Sequence, residues 1–207
     1  MNRSFYLEWG WVYWSGFIYH RVLCGLRGKI HKEIYERVAE EVGNFSVLDL
    51  CCGDGALSRW ITHSKYTGIE LNPRFVKMMR RRHIDVIEGD VQSVEFPSSD
   101  CAVLIESLYQ FLPNGLNLLS KILSHPFRKV IVVESMTHVA SHPVWWISLF
   151  AKWSTRVKGR IFHDRFSPGD FKALMSNRGF TLQETYPHQW MAVWNRETRP
   201  GLRQERL

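Results

Sequence analysis

Between residues 46 and 134 short apolar runs alternate with amphipathic stretches of helical length, and few folds accommodate that alternation. The runs lie at 46–50, 66–70, 85–88, 102–105 and 129–134, the last containing Val130-Ile131-Val132-Val133. An uninterrupted apolar run suits a strand buried on both faces, as in a parallel sheet. Helices are expected between the runs at 56–63, 73–82 and 116–123, which gives βαβ units and a doubly wound α/β fold. Two further segments, 179–186 and 190–195, lie close enough to pair antiparallel. The expected sheet is therefore seven-stranded and mainly parallel, with helices on both faces and an antiparallel C-terminal strand.

Upstream, Ile30, Ile34, Val38 and Val42 recur every four residues before Gly43, predicting a helix over 29–42 with one buried face. Downstream, Ser167-Pro168-Gly169-Asp170 has the form of an N-cap followed by proline at the first helical position, opening a helix to about residue 177. Three units follow: an aromatic helical extension or lid (1–43), the sheet domain (44–196) and a polar, mobile tail (197–207). Within the domain, residues 143–166 form an aromatic and basic insertion.

The 45% hydrophobic content excludes wholesale disorder, and the formal net charge of +7 favours an anionic partner. A phosphate-bearing cofactor, a nucleic acid and an anionic membrane surface all meet that description. Cys24, Cys51, Cys52 and Cys101 form no paired spacing, so a reduced, cytoplasmic chain without a zinc or iron–sulfur centre is expected. The apolar stretch 9–19 is too short for a membrane span and lacks a cleavage signal, leaving peripheral association as the expected form of any membrane contact.

The chemistry concentrates where the first strand ends, at Val47-Leu48-Asp49-Leu50-Cys51-Cys52-Gly53-Asp54-Gly55. Glycines there permit positive φ and close approach of a ligand, and a following helix would add free N–H groups and a positive dipole end. A dinucleotide fingerprint would read G-x-G-x-x-G. Here the spacing is Asp49-x-Cys51-x-Gly53-x-Gly55, and an acid before the turn repels pyrophosphate while suiting a cationic ligand with an amino group. Acids recur at the ends of later strands, at Glu70, at Glu88-Gly89-Asp90-Val91 and at Glu106. Singly each would serve as a turn or capping residue; their order along one sheet edge points to a ligand site.

This segment resembles motif I of class I S-adenosylmethionine-dependent methyltransferases, with Cys51 in place of the first of three alternating glycines. The resemblance implies a Rossmann-like methyltransferase fold, S-adenosylmethionine as cofactor and S-adenosylhomocysteine as product. It places Asp49, Cys51, Gly53 and Gly55 around the cofactor, and Glu70, followed by Leu71, on the ribose hydroxyls. Asp90 would accept from the adenine amino group, with the Val91 backbone facing the ring. Glu106 would serve the methionine end, and Glu106 and Tyr109 would line the methyl-transfer zone. No metal is implied.

Strand four ends in Glu106-Ser107-Leu108-Tyr109 rather than the Asn/Asp-Pro-Pro-aromatic run of methylases acting on exocyclic base amines. His138 and His163 are alternative bases. The aromatic segments, Phe5-Tyr6, Trp9, Trp11, Tyr13, Trp14, Phe17 and Tyr19, and Trp145-Trp146, Phe150 and Trp153, either pack as a lid or form a hydrophobic acceptor pocket or interfacial surface. The expected acceptor is a small, hydrophobic or amphipathic molecule, lipid-like in the extreme case. The alternative is an RNA-binding methyltransferase or a basic nucleic-acid-binding protein, supported by Arg74, Lys77, Arg80, Arg81 and Arg82. Oligomeric state is left open.

Overall fold

In the computed structural model the described residues are 32–112, 115–136 and 166–198. The aromatic extension before residue 32, the insertion up to residue 165, His138, His163 and the tail beyond residue 198 therefore lie outside the described residues.

Seven strands form one sheet in the order β3-β2-β1-β4-β5-β7-β6. They are β1 (Val47–Leu50), β2 (Tyr66–Glu70), β3 (Val86–Glu88), β4 (Cys101–Ile105), β5 (Lys129–Ser135), β6 (Thr181–Tyr186) and β7 (Gln189–Asn195). The first five run parallel; β7 lies antiparallel between β5 and β6. This is the doubly wound, mainly parallel sheet with an antiparallel C-terminal strand that the alternating pattern calls for.

Four helices are described. α1 covers residues 32–42, followed by α2 (Pro73–Arg81), α3 (Gly115–Ser124) and α4 (Pro168–Ser176). α2 and α4 each start at proline behind a side-chain cap: Asn72 Oδ1 accepts from Arg74 N at 3.0 Å and Ser167 Oγ from Asp170 N at 3.1 Å. Each cap satisfies an N–H that the first helical turn leaves without an intrahelical partner.

Two buried clusters sandwich the sheet. On one face Ile34, Val38 and Val42 of α1 meet Val47, Val103, Ile131, Val133 and Met191. On the other, Leu118, Leu119 and Ile122 of α3 and Phe171 and Met175 of α4 pack on Leu48, Leu50, Leu104, Val132 and Ala192. Strand residues of opposite parity serve opposite clusters, which is why β1, β4 and β5 read as continuous apolar runs.

The expected helix at 56–63 is corrected to a single 3₁₀ turn, Ala56–Arg59. Gly55 enters it at φ +72°, and Ser58 Oγ bonds back to Gly55 O at 2.7 Å, competing with the helical ladder. The bond from Trp60 N to Leu57 O, 2.9 Å, is of the i→i+3 type, and the chain then turns toward β2. Among the described residues no α-helical N-terminus faces the turn after β1, and the helix expected to bring its dipole there is this 3₁₀ turn.

Candidate functional site

The turn after β1 is built on left-handed backbone. Cys51, Gly53 and Gly55 have φ of +59°, +58° and +72°. The alternating positions thus share one conformational demand, which glycine meets freely and Cys51 meets under strain. At Gly55 space is restrictive too, since a Cβ would lie 2.7 Å from Met79 Sδ of α2. Cys52 N donates to Ile69 O at 3.1 Å and Gly53 N to Glu70 Oε2 at 2.9 Å, which ties the turn to the end of β2.

Glu70 is buried at the end of β2 and accepts from Asn72 N through its other oxygen at 2.7 Å. Burial pushes its carboxyl up to about 7, although the backbone N–H groups of Asn72, Gly53 and Leu71 pull the other way. Asp49 is buried beside it, and its Oδ2 accepts from the Tyr66 hydroxyl at 2.7 Å. It too is raised to about 7, chiefly by burial, with Glu70 and Asp54 adding repulsion against the Tyr66 bond. Asp54, inside the turn itself, is also buried. Three carboxylates so close and so dry favour a cationic guest.

Beyond β3, Asp90 Oδ1 accepts from Gln92 N at 2.9 Å, and Ser93 N and Val94 N close onto Asp90 O. Val91 is buried. Lys121 of α3 clamps this loop, donating to Val91 O, Gln92 O and Val94 O at 2.9, 3.1 and 2.6 Å. Its ammonium also stands 4.3 Å from the centre of the Phe96 ring.

The chain leaves β4 through Glu106 at φ +48°, an unusual backbone for a residue with a side chain. Glu106 N donates to Val133 O at 2.7 Å, and Gln189 Nε2 donates to Glu106 Oε1 at 3.2 Å. Leu108 N and Tyr109 N both point at Glu134 Oε1 near the end of β5, pinning the next 3₁₀ turn, Leu108–Phe111. Tyr109 is half-buried, and its hydroxyl accepts from Gln110 Nε2 at 3.3 Å.

The structure thus brings Asp49, Cys51, Gly53, Gly55, Glu70 and Leu71 to one place at the β1–β2 edge. Asp90 and Val91 lie beyond β3, and Glu106 and Tyr109 beyond β4. Sequence reasoning missed Tyr66, Asp54, Glu134, Gln189 and Tyr35. Burial, together with the charges of Asp54, Asp49 and Glu106, lifts the phenol of Tyr35 on α1 well above its usual range, so α1 contributes to the acidic site. Glu134 carried a signal, an acid closing an otherwise apolar strand. Tyr35 and Gln189 carried none, for their neighbours come from remote segments.

Residues 47–125 match the model of a family described as a methyltransferase domain. The phthiotriol/phenolphthiotriol dimycocerosates methyltransferase of Mycobacterium tuberculosis is 30% identical over 87 residues, 37% of this chain and 32% of that protein. Its Mycobacterium leprae counterpart is 30% identical over 88 residues with the same coverage. The matched part is thus about a third of the length of these curated relatives.

Among solved structures, the DhpI–S-adenosylhomocysteine complex superposes with a TM-score of 0.66 at 15% identity, covering 86% of this chain and 89% of that one. Magnesium protoporphyrin IX methyltransferase from Synechocystis PCC 6803, with bound S-adenosylhomocysteine, gives 0.59 at 13% identity, covering 79% and 82%. These likenesses define a Rossmann-like methyltransferase fold. Residues 47–125 thus match a methyltransferase domain in sequence, and the fold around them is that of S-adenosylmethionine-dependent methyltransferases.

Proposed function

We propose that this chain transfers a methyl group from S-adenosylmethionine to a small, hydrophobic or amphipathic acceptor by in-line displacement. The observation that carries the reading is the row of acids Asp49, Glu70, Asp90 and Glu106 along the carboxyl edge of β1–β4, around a turn of three left-handed residues. The donor set fits the cofactor: carboxylates for a ribose diol and an adenine amine, buried negative charge for an ammonium and a sulfonium, and a turn open to close approach. When bound, the cofactor supplies a methyl group already activated on a sulfonium.

The chain's own residues position and exclude water. Glu70 retains lone pairs on both oxygens after accepting from Gly53 and Asn72, so it can take two ribose hydroxyls without losing its hold on the turn. Asp90, held by Gln92 and by the Lys121 clamp on its loop, presents an acceptor toward the adenine side. Glu106 stands at the methionine end, and Tyr109 orients the acceptor. Calorimetry with S-adenosylhomocysteine tests the reading. Glu70→Ala is expected to weaken binding about a hundredfold and Asp49→Ala at least tenfold; absence of binding by the unaltered chain ends the proposal.

The mycobacterial relatives are named for phthiotriol and phenolphthiotriol dimycocerosates, and a lipid-like acceptor would suit the aromatic segments at 5–19 and 145–153. Peripheral contact of a cytoplasmic protein with an anionic membrane is the matching location. An RNA substrate is the second reading, favoured by the exposed Lys77, Arg80 and Arg81 of α2 and Arg82 just after it. Co-sedimentation with anionic phosphatidylglycerol vesicles, set against a tRNA gel shift, separates the two. Vesicle binding supports the first, and a tRNA shift alone overturns it.

A further inference from the structure

Gln189 opens β7 at the carboxyl edge of the parallel strands, where it pairs with Ser135 of β5. The residue is buried, only 4% exposed. Its Nε2 is engaged by Glu106 at 3.2 Å. That contact fixes the amide's orientation, because a carboxylate accepts only from the N–H₂ side. The amide oxygen is thereby turned away from Glu106. It is buried, and it accepts no hydrogen bond among the described residues.

A buried amide oxygen without a donor loses its hydration with nothing in return, so such groups call for an explanation. Three further observations give its surroundings a direction. Ser135 and Gln189 lie on the sheet face that Val133 and Met191 share with α1. Asp49, two residues after Val47 and opposite in parity to Leu48 and Leu50, belongs to the same face. Tyr35 of α1 stands near enough to Asp49, Asp54 and Glu106 for their charges to act on its phenol. Asp49 and Gln189 thus share the α1 face of the sheet, with the apolar Val103, Ile131 and Val133 between them and Glu106 at the end of β4 beside Gln189. Glu106 leaves β4 at φ +48°, a conformation retained at a cost where it aims a side chain.

We infer that Gln189 and Glu106 form one recognition subsite, with Gln189 Nε2 holding the Glu106 carboxylate in place and Gln189 Oε1 accepting a hydrogen bond from an O–H or N–H group of the bound ligand. The inference rests on the methyltransferase reading and extends it to a strand outside the matched segment 47–125. The donor belongs either to the amino-acid end of the cofactor or to the methyl acceptor. No bond is made or broken at Gln189, which acts by positioning.

Two nucleosides tell these sources apart: S-adenosylhomocysteine, which carries the amino-acid end, and 5′-methylthioadenosine, which lacks it. Calorimetry is run on the unaltered full chain, on Gln189→Leu and on Glu106→Gln, whose amide oxygen can still accept from Gln189. Circular dichroism checks that each variant is folded. If the cofactor is the source, Gln189→Leu weakens S-adenosylhomocysteine about tenfold and leaves 5′-methylthioadenosine within about twofold. Glu106→Gln then weakens S-adenosylhomocysteine as well.

If the acceptor is the source, both affinities hold. Transfer of labelled methyl from S-adenosylmethionine into a lipid extract then falls about tenfold in Gln189→Leu, at unchanged cofactor KM. Unchanged affinities together with unchanged transfer overturn the subsite, and so does an equal loss for both nucleosides. An unaltered chain that binds neither nucleoside removes the cofactor reading itself, a result distinct from any of these.

Discussion

A cysteine held at φ +59° is an expensive way to make a tight turn, and Cys51 is followed at two-residue spacing by two glycines with the same backbone. Left-handed backbone costs a residue with a Cβ about 1–2 kcal/mol, and a β-branched one more. Cys51→Gly relieves that strain while removing a half-buried side chain, so its stability is expected within about 1 kcal/mol of the unaltered chain. Cys51→Val is expected to lose about 2 kcal/mol or more in urea unfolding. At this scale the sequence was most readable where a backbone demand imposes a residue type. Gly53 and Gly55 announced the turn, and the resemblance to motif I put Cys51 in the place of its first glycine. Tyr66, Tyr35 and Gln189 act through neighbours far along the chain, and nothing local marks them.

Elements were readable where a period or a cap reported them. The four-residue recurrence of Ile34, Val38 and Val42 reported α1 and its buried side, and Ser167-Pro168 placed the start of α4 to the residue. The stretch after Gly55 was misread because Ala56-Leu57-Ser58-Arg59 has helical composition, while Ser58 spends its hydroxyl on Gly55 O. A side-chain bond to the backbone leaves no trace in hydrophobic pattern. Nor does the Lys121 clamp, which makes α3 responsible for the shape of the loop after β3. Lys121→Met keeps the aliphatic stem and removes three donors. It is expected to cost about 1 kcal/mol in stability and to weaken S-adenosylhomocysteine and 5′-methylthioadenosine equally, since both carry adenine. Thermal melts and calorimetry check the two halves.

For the molecule as a whole, the sheet order was legible in outline because βαβ units admit few arrangements. The insertion of β7 between β5 and β6 required the structure. The assembled edge also sets a pH dependence. Asp49 and Glu70 are raised to about 7 from ordinary values of 3.8 and 4.5. Over that interval the folded chain holds more protons than the unfolded one, so these groups lower stability as pH rises from about 4 to 7, with the loss complete above 7. Without ligand, the chain is expected to melt several degrees lower at pH 8 than at pH 5.5. A cationic ligand favours the ionised carboxylates, so S-adenosylmethionine should bind more tightly at pH 8 than at pH 6 and should flatten the melting profile. Differential scanning calorimetry with and without ligand measures both. A melting temperature that climbs from pH 5.5 to pH 8 in the free chain contradicts the assignment.

The place of β7 also bears on synthesis. β5 pairs with β7 through seven consecutive residues, Lys129 to Ser135 against Asn195 to Gln189. As the ribosome delivers the chain from its N-terminus, β1–β5 emerge before the strand that covers the outer side of β5 exists. For the time needed to translate the intervening 53 residues, from 136 to 188, a hydrophobic ribbon of unmet N–H and C=O groups is presented to whatever is nearby. A nascent chain stalled before Gln189 should thus be the form of this protein most dependent on chaperones.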